Sequence, residues 1–264
     1  MGTPESGKSI GQDFDGVYTL SSEAAYPAIF HSVLMDLDYA LSGDDLNSRL
    51  DEVWGSDMAK CLENVMPDRP DLWASGKKIL KENMMETLPR LVQPVEGAAE
   101  SAERLASRYT MGLISAADRD VLLEKLFPKV GLKEGYFKGG IFTADQMDPA
   151  EGQFPKPHPY ALLELMRRAN ATPENTIMVG DSRTDVLSAR AAGALAVVTL
   201  TGNLNRTEAE ALNVEHIIED VTQLETEVIP RTIGRSSIGK FAWPTFKRQS
   251  EEEPWGGPGD ATFI

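Results

Sequence analysis

Between Thr176 and Gly193 the chain reads TIMVGDSRTDVLSARAAG, and this segment limits the fold more than any other. The apolar run Ile177–Val179 is too short for a buried helix and fits a buried strand, while Ser182–Ala192 carries helical spacing. A strand that stops at Gly180-Asp181-Ser182 and turns at once into a helix sets Asp181 at the strand's C-terminal tip. Asp185 then falls on the first turn of that helix. Helix capping explains one of these acids, but hardly both together with the glycine. Three more short apolar runs, Met111–Ile114, Gly140–Phe142 and Ala194–Leu200, read as buried parallel strands. They alternate with helical spacing near Gly97–Arg108, Arg119–Leu126 and His158–Arg168. This alternation predicts an α/β chain with a Rossmann-like parallel sheet and helices on both faces. Ligands in such sheets bind at the C-terminal ends of the strands.

From about Ser21 to Arg90 the period changes. Ile29, Leu34, Leu37 and Leu41, then Val53, Met58, Cys61, Leu62 and Val65, recur at three and four without a strand signal between them. The expected division is an α/β core over 1–20 and 91–226, an inserted all-helical cap over 21–90, and a C-terminal extension over 227–264. That extension is rich in Pro, Gly and charge yet holds Phe241, Trp243, Phe246, Trp255 and Phe263, so it reads either as a loose tail or as an arm that docks. The single cysteine, Cys61, leaves no disulfide framework and no multi-cysteine metal site. No apolar run is long enough to span a membrane and no secretory signal is visible, so a cytoplasmic location is expected. The 41 acidic against 26 basic residues give a net charge of −15, which disfavours nucleic acid and anionic membrane as partners. The same field repels a phosphorylated substrate unless local positive charge reverses it.

Three further patches carry chemistry. Asp13-Phe14-Asp15-Gly16-Val17 holds two carboxylates two residues apart, able to bind a hard cation or to divide nucleophile and acid roles. Ser115 directly follows a buried strand, where a hydroxyl can donate to an oxyanion, although it or Asp118 could equally cap a helix. Lys156 lies in FPKPHP, whose prolines give its ammonium a fixed origin.

The order DFDGV, LIS, PKPHP and VGDSRTDVLSARAAG resembles the four motifs of the haloacid dehalogenase-like (HAD) hydrolase superfamily. The likeness runs from about Ser9 to Leu224 and is to the branch of phosphoglycolate phosphatase and β-phosphoglucomutase, with its helical cap. The resemblance implies a Mg²⁺-dependent phosphatase that acts on a small phosphorylated metabolite through an aspartyl-phosphate. Asp13 matches the nucleophile and Asp15 the general acid, while Ser115 and Lys156 match the phosphate-binding groups. Asp13, Asp15 through its backbone carbonyl, and Asp181 match the metal ligands, and Asp185 the carboxylate behind them. Trp54-Gly55-Ser56-Asp57 looks like the cap turn that reaches the substrate in relatives, with Arg49 and Lys60 as further candidates or as surface charge. A phosphomutase of the β-phosphoglucomutase type and a non-catalytic binding protein on the same scaffold are the alternatives.

One departure from that pattern carries an expectation. The residues before Asp13 are Lys8-Ser9-Ile10-Gly11-Gln12, and a central strand with one large apolar side chain is expected to pack poorly. A rival motif, Gly2-Thr3-Pro4-Glu5-Ser6-Gly7-Lys8-Ser9, fits the phosphate-loop pattern but needs a buried strand before it and a helix after it.

Overall fold

The computed structural model describes residues 7–20, 25–52 and 58–232. Six strands form one all-parallel sheet: β1 (Ser9–Gln12), β2 (Thr110–Ser115), β3 (Gly140–Thr143), β4 (Thr176–Gly180), β5 (Leu195–Thr199) and β6 (His216–Ile218). Their spatial order is β3-β2-β1-β4-β5-β6, so β1 is central and the order reverses beside it. The loops after β1, β2 and β4 therefore share one crevice. Helices α1 (Tyr26–Asp36), α2 (Gly43–Asp51), α3 (Met58–Val65) and α4 (Trp73–Leu91) follow β1 as the predicted helical insert. The chain enters and leaves it through two paired linkers. Leu20 N–H donates to the Gln93 carbonyl at 2.8 Å and Val95 N–H to the Tyr18 carbonyl at 3.0 Å.

After α5 (Ala98–Ala106) and β2, a helical stretch begins as α6 (Arg119–Val121), passes through one π turn at Leu122–Leu126 and ends as α7 (Phe127–Val130). Then come α8 (Tyr160–Ala169), α9 (Arg183–Ala191), α10 (Arg206–Ala211) and α11 (Ile229–Thr232). The sheet has an apolar layer on each face. One holds Ile10, Phe14, Leu105, Leu113, Val179 and Val197 and continues into the insert, and the other holds Ile114, Leu162, Leu165, Met178 and Val198. Core packing also reaches beyond the boundary expected at residue 226, since Val228 and Ile229 are buried. No helix among the described residues is long and apolar enough to cross a membrane.

The expectation that the polar first strand packs poorly is corrected. All four residues of β1 are buried. The Ser9 hydroxyl pairs with the Thr176 hydroxyl at 2.8 Å, and Gln12 Oε1 accepts from the Tyr18 hydroxyl. Gly11 is small for a reason: a Cβ there would lie 2.8 Å from Leu162 Cδ2 and 3.2 Å from both Ile114 Cδ1 and Met178 Sδ. The apolar mass missing from β1 is thus supplied by α8 and the flanking strands. The cost is one orphan, Gln12 Nε2, which has no hydrogen-bond partner among the described residues. Residues 2–6 of the phosphate-loop pattern lie outside the described residues, and Ser9, where that pattern needs a helix to begin, opens a strand instead.

Candidate active site

Five loops meet at the C-terminal edge of the sheet. Asp13 N–H donates to the Val179 carbonyl at 2.9 Å, which extends the β1–β4 ladder by one step and seats Asp13 at its tip. Between the two acids, Phe14 is fully buried against Tyr18 and Phe127, with ring centroids 6.3 and 6.2 Å away. That anchor holds the loop between Asp13 and Asp15. Asp15 accepts from the Thr19 hydroxyl at 3.2 Å, and Thr19 itself bridges Pro94 in the paired linkers. The chain turns at Gly16 with φ of +66°, and a Cβ there would fall 2.3 Å from the Asp181 carboxyl, so only glycine fits.

Lys156 comes in from the loop before α8, beside a cis Lys156–Pro157 peptide. Its ammonium lies 2.6 Å from Asp13 Oδ2 and 2.7 Å from Asp185 Oδ1. Asp185 does two things at once. Its other oxygen accepts from Ser182 N–H at 3.1 Å and from the Ser182 hydroxyl at 2.5 Å, closing a capping box on α9. Capping and lysine binding are therefore not rivals at this position. Ser115, at the end of β2, is buried and accepts from Ala117 N–H at 3.1 Å, whereas Asp118 caps α6.

Asp13, Asp181 and Asp185 are all buried, and each offers an oxygen within 4.8 Å of the others. The electrostatics follow from that crowding. Burial, with Asp185 and Asp15 nearby, pushes the Asp13 carboxyl up to about 7 against the pull of Lys156. Burial, then the charges of Asp13 and Asp185, pushes Asp181 well above the usual carboxylate range. For Lys156, burial alone would lower the ammonium, but the two carboxylates it touches outweigh this and hold it above its ordinary value.

All six predicted core residues thus converge on one crevice edge. The cap turn Trp54, Gly55 and Ser56 lies outside the described residues, as do the aromatics of the C-terminal extension. Arg49 serves the insert itself, donating to the Val65 carbonyl at 2.7 Å. Sequence reasoning missed Thr199, the last residue of β5, and Thr201 and Asn203 in the loop that follows, which reach the same edge. The Thr-Leu-Thr-Gly that ends this strand carried the signal, hydroxyls and a glycine at a strand tip.

A doubly wound parallel sheet thus brings three aspartates and a lysine together at its switch point. Residues 153–224 match the HAD-hydrolase-like family model. That stretch runs from the loop before α8 to the end of the sheet and carries Lys156, Asp181 and Asp185, and over it the chain is similar to that family. A phosphoglycolate phosphatase of Salmonella paratyphi A is 46% identical over 65 residues, 25% of this chain and 25% of that protein. The pyrophosphatase PpaX of Bacillus mycoides is 25% identical over 138 residues, 51% of this chain and 59% of that one. The matched stretches thus span between a quarter and about three-fifths of these two relatives. A crystal structure of a HAD-superfamily hydrolase of subfamily IA from Geobacter sulfurreducens superposes with a TM-score of 0.55. It is 22% identical and covers 85% of this chain and 98% of its own.

Proposed function

We propose that the protein is a Mg²⁺-dependent phosphatase of a small phosphate monoester, working through an aspartyl-phosphate on Asp13. The observation that carries this reading is the Asp13 carboxylate, buried at the crevice edge in contact with Lys156 and crowded by Asp181 and Asp185. A divalent cation fits what is present. One ammonium among three buried carboxylates leaves negative charge uncompensated, and every donor is a hard oxygen, the set Mg²⁺ prefers. Asp13, Asp181 and the Asp15 carbonyl would hold it. When bound it supplies the positive charge that lets a carboxylate approach a phosphate.

Asp13 Oδ attacks phosphorus, a new O–P bond forms, and the ester O–P bond breaks. Asp15 gives its proton to the departing oxygen. It then takes a proton from water, whose oxygen attacks phosphorus and releases orthophosphate from Asp13. Lys156 and Ser115 hold phosphoryl oxygens as charge builds on them. Asp185 keeps Lys156 aimed. The net charge of −15 disfavours nucleic acid and anionic membrane as partners, and a cytoplasmic location is part of the same reading.

Phosphate release from a panel of small esters, with phosphoglycolate and pyrophosphate included, tests the reading. Turnover is expected with Mg²⁺ and none with a chelator, and Asp13→Asn is expected to lose about a thousandfold or more. Full activity in Asp13→Asn would sink it. Conversion of an ester to its isomer without phosphate release would replace the phosphatase by a mutase.

A further inference from the structure

The loop after β5 is tied to the site at more points than a connection needs. The Thr199 hydroxyl, fully buried, donates to the Gly16 carbonyl at 2.7 Å and lies 3.4 Å from the Gly180 carbonyl. The Thr201 hydroxyl donates to the same Gly16 carbonyl at 2.5 Å. Two donors fill both lone pairs of one oxygen. β4 stands between β5 and β1, so these hydroxyls reach over its tip to hold the nucleophile loop. The next residues hold the metal-side carboxylate. Asn203 N–H donates to Asp181 Oδ2 at 2.8 Å, and Leu204 N–H donates to the Asp181 carbonyl at 2.9 Å. Gly202 lies so close that an added Cβ would sit 1.9 Å from Asp181 Oδ2. The Asp181 carboxyl is therefore clasped between Gly16 and Gly202, and the two threonines decide where Gly16 stands.

We propose that Thr199 and Thr201 are positioning residues that, with the Asn203 amide, brace the Asp13–Gly16 loop against Asp181 and so set the spacing of the two carboxylates. The brace gives the proposed cation site its fixed dimensions and in that respect rests on the phosphatase reading. Neither threonine touches the reacting atoms. Each acts through Gly16.

Valine keeps the shape of threonine and removes the donor. In the full chain, Thr199→Val, Thr201→Val, the double variant and the double serine variant are compared by amide exchange over 13–18 and by calorimetric titration with Mg²⁺. The double valine variant is expected to exchange about tenfold faster over 13–18 and to bind Mg²⁺ about tenfold more weakly, with α4 unchanged. The serine variant, which keeps both donors, is expected to stay within about twofold of the wild type on both readings. Unchanged exchange over 13–18, or a rise shared equally by α4, overturns the brace. Should the double variant not fold, Thr201→Val at the half-exposed position decides alone, with about threefold faster exchange expected and none overturning. A wild type that takes up no Mg²⁺ and releases no phosphate would sink the phosphatase reading instead, while the brace is still judged on exchange.

Discussion

Asp13, the proposed nucleophile, sits in a place that does not favour its charge. Burial is the largest influence on it and raises the carboxyl from 3.8 to about 7, and the contact with Lys156 only partly offsets this. A carboxyl whose folded value lies above its unfolded one stabilises the fold fully at pH below about 3.8 and loses that contribution as pH climbs through about 7. The metal-free protein therefore carries a growing electrostatic cost over that interval, and a cation that needs the ionised form relieves it. Two outcomes are expected. Affinity for Mg²⁺ rises with pH up to about 7, and uptake at pH 6 expels protons from Asp13 and from Asp181, whose carboxyl is also held high, with fewer expelled per ion as pH rises. Calorimetry in two buffers of different ionisation heat reads the proton count, and a heat independent of buffer at pH 6 would count against the whole account. Asp13→Asn should lower the proton count and leave the share that comes from Asp181.

Elements in this fold are matched in pairs, and β1 shows it best. Gly11 has no side chain because Leu162 of α8 fills the space above it. Gly11→Ala puts a Cβ 2.8 Å from Leu162 Cδ2, an overpacking expected to cost about 1–3 kcal/mol in urea unfolding. Adding Leu162→Ala to Gly11→Ala should cost less than the two single losses together, since the second change opens the space the first one crowds. Additive losses would mean that the two do not share that space. The same pairing explains what could be read from the chain alone. β2, β4 and β5 carry their own apolar runs, and the four motifs sit at strand tips where local pattern is enough to place them. β1 misled because the partners that excuse its polarity, Thr176, Leu162 and Met178, lie more than 150 positions away in the chain. β6 was missed for a different reason: three residues, His216–Ile218, with two only half-buried, leave too short a pattern to count. Thr199 and Thr201 went unread because a hydroxyl at a strand end has many uses, and only the fold shows both aimed at one carbonyl.

At the scale of the whole molecule the long-range field is that of the chain, whose net charge is −15. The site itself adds little at a distance. Three carboxylates, one ammonium and the proposed divalent cation are together neutral, so attraction is confined to the last few ångströms. A phosphate dianion approaching from solution is repelled until it is within about one Debye length, near 10 Å at 0.1 M salt. The same field draws Mg²⁺ in. One body charge thus predicts two opposite salt responses. With Mg²⁺ saturating at every point, kcat/KM for a dianionic ester should rise about two- to fivefold between about 10 and 150 mM monovalent salt, because screening removes repulsion. The dissociation constant for Mg²⁺ should rise over the same range, because screening removes attraction. A kcat/KM that falls with salt would mean that substrate is steered by a local positive surface, and that the crevice edge is not governed by the overall charge.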